Sequence, residues 1–138
     1  MRVTADTNVL LRATVADEPD QTRSAQALLG EAELVAMPLQ ALCEFVWVAR
    51  RAYRRPSHEI GAVIRTWLDS PTVRLDRAAV EAGLAMLDAG GDFADGVIAF
   101  AGRQMGGAVF TSFDRRAVEL VRASGGEAHL LAAANDAG

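Results

Sequence analysis

The chain has 138 residues, 51% of them hydrophobic, with 18 acids against 14 bases for a formal charge of −4. That length closes one core rather than two, so one domain is expected over residues 1–131, followed by a short flexible tail over 132–138. The lone Cys43 excludes an internal disulfide and the lack of lysine excludes lysine-dependent chemistry. No apolar run approaches bilayer length and no signal core opens the chain, so a reducing cytoplasm is the expected setting, away from membranes.

In chain order, Arg2 to Ala5 is a β-like run ending at Asp6, after which Thr7-Asn8 opens an apolar helical stretch from Val9 to Val15. Asp20 to Leu29 has helical character and ends at Gly30; Glu33 to Met37 then forms a second strand. Pro38 suits the first turn of a long helix through Leu39, Leu42, Phe45, Val46 and Ala49, and Pro56 stops it. Ser57 is expected to cap the next helix, over Ile60, Val63, Ile64, Trp67 and Leu68.

Beyond Pro71, Thr72 to Leu75 reads as a strand, and Asp76 caps a helix with Val80, Leu84 and Leu87 that ends at Gly90-Gly91. A helix starting near Asp92 carries Val97, Ile98, Phe100 and Ala101. Ala108 to Thr111 is a strand, Asp114 to Ala123 a helix, and His129 to Leu131 a last strand. Strands alternating with helices, joined by connections too long for hairpins, predict an α/β domain. Its central sheet, of four to five mostly parallel strands, has helices on both faces, a three-layer α/β/α arrangement.

Against this frame, Asp6, Glu44, Asp95 and Asp114 stand where a carboxylate is locally unexpected. Asp6 and Asp114 follow strands, where open parallel sheets hold their ligands. Glu44 has Ala41, Trp47 and Val48 three and four residues away, so it is expected to point from an apolar helix face. Asp95 shares its side with Ile98 and Ala99, and Asp92 lies one turn earlier. Two carboxylates brought close repel by about 4 kcal/mol at an effective dielectric near 20, so a cation is expected between them. With only His58, His129 and Cys43 as nitrogen or sulfur donors, oxygen ligands dominate, which suits Mg²⁺ or Mn²⁺ and points to a metal-dependent phosphodiesterase.

Taken singly, each acid except Glu44 has a plainer role: Asp114 and Asp92 as helix caps, Asp95 as a first-turn acid, Asp6 as a turn residue. Setting aside the four acids leaves 14 acids against 14 bases, so the excess negative charge is accounted for locally.

The segments VTADTNVLLR, ALCEFVWV, DFADGVIAF and VFTSFDRRAVEL, in that order, resemble the PIN-domain ribonucleases, and within them the VapC-type toxins of toxin–antitoxin pairs. The resemblance runs from the first strand to about Leu131. It implies that Asp6, Glu44, Asp95 and Asp114 are the catalytic, metal-binding acids, with Asp92 auxiliary and with Asn8 and Thr111 supporting the site. It also implies one or two Mg²⁺ or Mn²⁺ ions, an RNA substrate, a cognate antitoxin whose C-terminal segment offers an Arg or Lys to the acids, and a homodimer. The alternative is a PIN-like module that binds RNA or protein without cutting.

Gly96 departs from the family pattern and is expected to loosen its helix, at about 1 kcal/mol. A receiver-type phosphorylation domain needs a lysine that this chain lacks, and a haloacid-dehalogenase-type phosphatase needs a second aspartate two residues after the first, where Asn8 stands.

All 14 bases are arginine, and Arg50, Arg51, Arg54 and Arg55 gather around Tyr53. Two readings stay open for them and for Arg115 beside Asp114. Guanidinium forks grip RNA phosphates while Tyr53 stacks on a base; equally, bases in a last helical turn complement the helix dipole. Phe45, Trp47, Trp67 and Phe100, at helical spacing, are expected in core or dimer packing, and Cys43 as a small buried side chain.

Overall fold

In a computed structural model, residues 1–134 are described, and they form five strands and seven helices. Two compact units divide them: Met1–Val80 and Glu81 onward. The expected tail over 132–138 therefore lies largely outside the described residues.

The first unit is built on a three-stranded sheet of β1 (Arg2–Thr4), β2 (Leu34–Ala36) and β3 (Val73–Arg74), with β2 central and both pairings parallel. Parallel neighbours require crossovers, supplied by α1 (Thr7–Thr14) and α2 (Pro19–Glu31), then by α3 (Leu39–Arg51) and α4 (Ser57–Asp69). α3 buries Ala41, Leu42, Phe45, Val46 and Ala49, the spacing that one helical face dictates, and Phe45 meets the Trp67 ring at 5.1 Å. Val35, on the central strand, is wholly buried.

The second unit pairs β4 (Val109–Ser112) with β5 (Glu127–Leu130), again in parallel and bridged by α7 (Arg115–Ala123). α6 (Phe93–Gln104) contributes Ala99 to a cluster with Met86 and Val121, against which Phe110, Leu120 and Ala128 pack. α5 (Arg77–Asp88) is capped by Asp76, whose carboxylate accepts from Ala79 N at 3.2 Å. The α/β class, the five strands and the exclusively parallel pairing agree with expectation. No described helix is long and apolar enough to cross a membrane.

Several local expectations are corrected. α2 runs through Gly30 to Glu31, because a glycine ends a helix only where the chain takes up the left-handed turn. Ser57 is the first helical residue, not the cap; Pro56 stands at the cap, and the Ser57 hydroxyl accepts from Arg50 instead. β5 begins at Glu127, since its register with β4 pairs Val109 with Glu127. Cys43 is half-buried. Trp47 leaves the core altogether, 54% exposed with the Arg51 guanidinium 5.9 Å from its ring centroid.

Gly96 does not loosen α6; it lets α6 meet α5. A Cβ there would run into the Ala82 carbonyl oxygen and lie 2.9 Å from both Gly83 Cα and Met86 Cβ. Gly83 is the reciprocal notch, where the Phe93 ring fills the space of the missing side chain. Close backbone approach outweighs the helix propensity lost at glycine. Gly96→Ala is therefore expected to destabilise the protein by about 1–3 kcal/mol despite alanine's better propensity. Urea denaturation should show a lower midpoint, whereas an unchanged or higher midpoint would mean that the notch is not tightly filled.

Candidate functional site

Asp6 stands one residue beyond buried Ala5, where the chain leaves β1, and caps α1: its Oδ1 accepts from Val9 N at 3.0 Å. Only that oxygen is engaged, and the carboxylate remains exposed. The capping bond thus fixes the group without saturating it, leaving Oδ2 for a second partner. Asn8 is exposed in the first turn of the same helix.

Glu44, also in the first unit, is exposed and not set in an apolar face. The buried face of α3 runs through Ala41, Phe45 and Val48's neighbour Ala49, whereas Glu44 shares its side with exposed Trp47, one turn on. Among the described residues its side chain has no hydrogen bond or ion pair. The apolar letters around Glu44 misled because sequence spacing does not show which tryptophan is covered.

The second unit holds the other acids. Asp92 caps α6 in position but makes no side-chain capping bond, and Asp95 follows in the first turn. Asp114 caps α7, its Oδ1 accepting from Arg116 N at 2.9 Å and Ala117 N at 3.2 Å, while its own N–H donates to Ser112 Oγ at 3.0 Å. Thr111, exposed on β4, donates to Val109 O at 3.2 Å. Phe113, directly before Asp114, is 67% exposed.

Asp95 carries the clearest electrostatic signature. Its pKa is raised first by withdrawal from water and then by the negative charges of Asp92 and of Asp114. Asp92 and Asp114 thus both stand near enough to Asp95 to oppose its ionisation. Among the described residues no group of three or more His, Cys, Asp or Glu side chains already stands in ligating arrangement. For magnesium this is no obstacle, since the ion keeps several waters and takes only one or two carboxylates directly. Oxygen donors suit Mg²⁺ or Mn²⁺ better than zinc, which more often takes nitrogen and sulfur ligands.

The arginine cluster is mostly occupied within the chain. Arg50 donates to Ser57, Arg51 lies over Trp47, and Arg55 stands 3.9 Å from Glu59 one turn on. Arg54 is exposed with a left-handed φ of 52° where the chain leaves α3. Arg115 is exposed at the start of α7.

Sequence reasoning passed over a cleft of about 450 Å³ in the first unit, between α1 and α2 and bounded by Asp6. Val9, Ala25 and Leu28 give it apolar walls; Asn8, Arg12, Asp20, Gln21 and Ser24 surround them. Val9 and Arg12 lie three residues apart on α1, and Gln21, Ser24, Ala25 and Leu28 repeat at helical spacing on α2. That pairing of half-polar faces was the available signal.

A family model described as PIN domain matches residues 3–123, a span that contains all four acids singled out above. A search of curated proteins gave no match.

The raised pKa of Asp95 sets the sign of a pH effect. A carboxyl that binds its proton more tightly when folded supports the fold below the ordinary aspartate range, and that support is lost as pH rises through the folded value. At neutral pH, without metal, ionised Asp95 thus opposes folding. Asp95→Asn in EDTA should raise the Tm near pH 7, with the gain shrinking as pH falls towards 4; a gain independent of pH would refute the coupling. We expect Mg²⁺ to reverse the order by stabilising the wild type.

Proposed function

Because the chain belongs to the PIN domain family, a nuclease-type fold, we propose that it is a divalent-metal-dependent endoribonuclease that hydrolyses RNA phosphodiester bonds. The observation that carries this reading is the half-buried Asp95, charged against Asp92 and Asp114 with no cationic side chain paired to it among the described residues. A fold keeps such an arrangement when something else supplies the positive charge.

Asp6, Glu44, Asp95 and Asp114 are proposed as the metal-binding acids, with Asp92 auxiliary. One or two Mg²⁺ or Mn²⁺ ions, when bound, would polarise the scissile phosphate and make an attacking water acidic. The chain's own part is placement. Capping bonds from Val9 N and from Arg116 N and Ala117 N hold one oxygen of Asp6 and Asp114 still, and the other oxygen is left to face the ion. Glu44 is free to turn, exposed and without a bond to break. Asn8 and Thr111 add side-chain amide and hydroxyl groups beside these acids in sequence, suited to holding a water or a phosphate oxygen. Arg54 and Arg115, exposed, are the cluster members best suited to meet the RNA backbone; Arg50, Arg51 and Arg55 would first give up their present contacts.

We further propose a toxin role, opposed by an antitoxin that places an Arg or Lys against the acids, and a homodimer. Ile98 and Trp47, 57% and 54% exposed, offer apolar surface that a second copy would cover.

Single-stranded RNA should be cut with Mg²⁺ or Mn²⁺ and left intact with EDTA. Asp6→Asn, Glu44→Gln and Asp95→Asn should each lower the rate by about 100-fold or more, the scale of losing one preorganised electrostatic contact to developing charge. Cleavage that survives chelation would sink the metal mechanism. RNA binding without any cleavage would favour a non-catalytic module.

Expression in cells should arrest growth, and co-expression of the neighbouring short reading frame should relieve it. Arrest that the neighbour leaves untouched would remove the antitoxin. Light scattering at micromolar concentration should give twice the chain mass, and a monomer there would remove the dimer.

A further inference from the structure

We propose that the cleft between α1 and α2 is a nucleobase subsite, which takes one unstacked RNA base bearing an exocyclic amino group; this rests on the ribonuclease reading. Its volume of about 450 Å³ falls within the usual range for small-ligand sites, about 300–1,000 Å³. Asp6 forms part of its wall, so whatever fills it lies against one of the proposed metal-binding acids.

The lining selects the ligand's chemistry. Three carboxylates, Asp6, Asp17 and Asp20, stand at or beside the cleft against two guanidiniums: Arg12, whose Nη1 is given to Asp17 at 2.7 Å, and Arg23, which pairs with one oxygen of Asp20. A phosphate would meet net repulsion there. A neutral planar group would not: Val9, Ala25 and Leu28 supply apolar contact, as a base face requires.

Around that apolar wall stand Asn8, Gln21 and Ser24, which both donate and accept, and Asp20, which accepts. Carboxylate and amide oxygens recognise exocyclic amino groups of adenine, cytosine and guanine; uracil has none. Arg12 adds a donor that is still unused. Its Nε is buried without a hydrogen-bond partner among the described residues, although Nη1 also reaches Tyr53 Oη at 3.4 Å. A ring nitrogen or carbonyl oxygen of a seated base is the acceptor that this N–H lacks. Single-stranded RNA is the substrate form in which a base can leave its stack and enter such a cleft.

The test uses the full chain and two readouts. With EDTA present, amide NMR spectra are recorded on titration with adenosine, cytidine, guanosine and uridine 5′-monophosphates. Shifts should map to Gln21, Ser24, Ala25 and Leu28, be weakest for uridine, and vanish in Ser24→Trp, where an exposed serine becomes a ring that fills the cleft. With Mg²⁺, a random RNA pool is cleaved and its ends sequenced.

Wild type should favour an amino-bearing base over uracil at one position near the cut. Gln21→Ala and Ser24→Trp should each reduce that ratio by about tenfold, the scale of one base-edge hydrogen-bond pair. Shifts absent or scattered over the surface, or a ratio unchanged in both variants, would overturn the subsite. Shifts that map to the cleft in a protein that cuts no RNA would keep the subsite and discard the ribonuclease.

Discussion

An ionised carboxylate half withdrawn from water near two others opposes folding unless a cation joins it, and Asp95 is in that position, its ionisation opposed by burial first and then by Asp92 and Asp114. The second unit tolerates this because its packing is dense elsewhere. Met86, Ala99 and Val121 are buried together, and Phe93 fills the notch at Gly83 so that α5 and α6 approach at their backbones. Apolar burial at about 25 cal/mol per Å² accumulates quickly over side chains of that size, enough to carry one strained acid. Asp95 is thus a local conflict kept in place by its surroundings.

The remaining acids avoid that conflict by serving the backbone as well. Asp6 and Asp114 each spend one oxygen on N–H groups at a helix start, which the helix needs satisfied in any case. Because capping geometry is narrow, the second oxygen inherits a defined direction. A cap just past a strand end therefore leaves room for the metal-binding role proposed for Asp6 and Asp114, and capping does not exclude it. Glu44 has no such side-chain bond to the backbone, so any ligand it took would have to quench its freedom.

Much of the frame was legible in the chain because it rests on local physics. Alternation of short β-branched runs with helical periodicity marked all five strands and seven helices, and Pro38, Pro56 and Asp76 punctuate where they should. Element ends at Gly30, Ser57 and Glu127 slipped by one or two residues, and the larger failures were tertiary. The spacing of Glu44 to Ala41, Trp47 and Val48 suggested an apolar surround, yet Trp47 faces water with Arg51 over its ring. Gly96 looked like a weak point by propensity and is a point of close approach, because propensity carries no information about the Ala82 carbonyl opposite. Asp6 and Asp114 were legible as acids just past a strand, whereas Glu44 was singled out for an apolar surround that the structure does not give it. The cleft beside Asp6 could not, since it exists only where two amphipathic helices leave space between half-polar faces.

Arginine's exclusive use among the bases acquires a meaning from the contacts. A guanidinium has five donors in a rigid fork, so one group can serve several partners at once. Arg12 joins Asp17 and Tyr53, Arg122 grips the Ala128 carbonyl through both Nε and Nη2, and Arg74 reaches the carbonyls of Pro71 and Val73. Positive charge is thereby tied into the frame at helix and strand ends. Asp95 is given none of it, although Arg115 and Arg116 directly follow Asp114 in sequence. Among the described residues none of these arginine contacts reaches Asp95, and in the function proposed above a divalent ion supplies its positive partner.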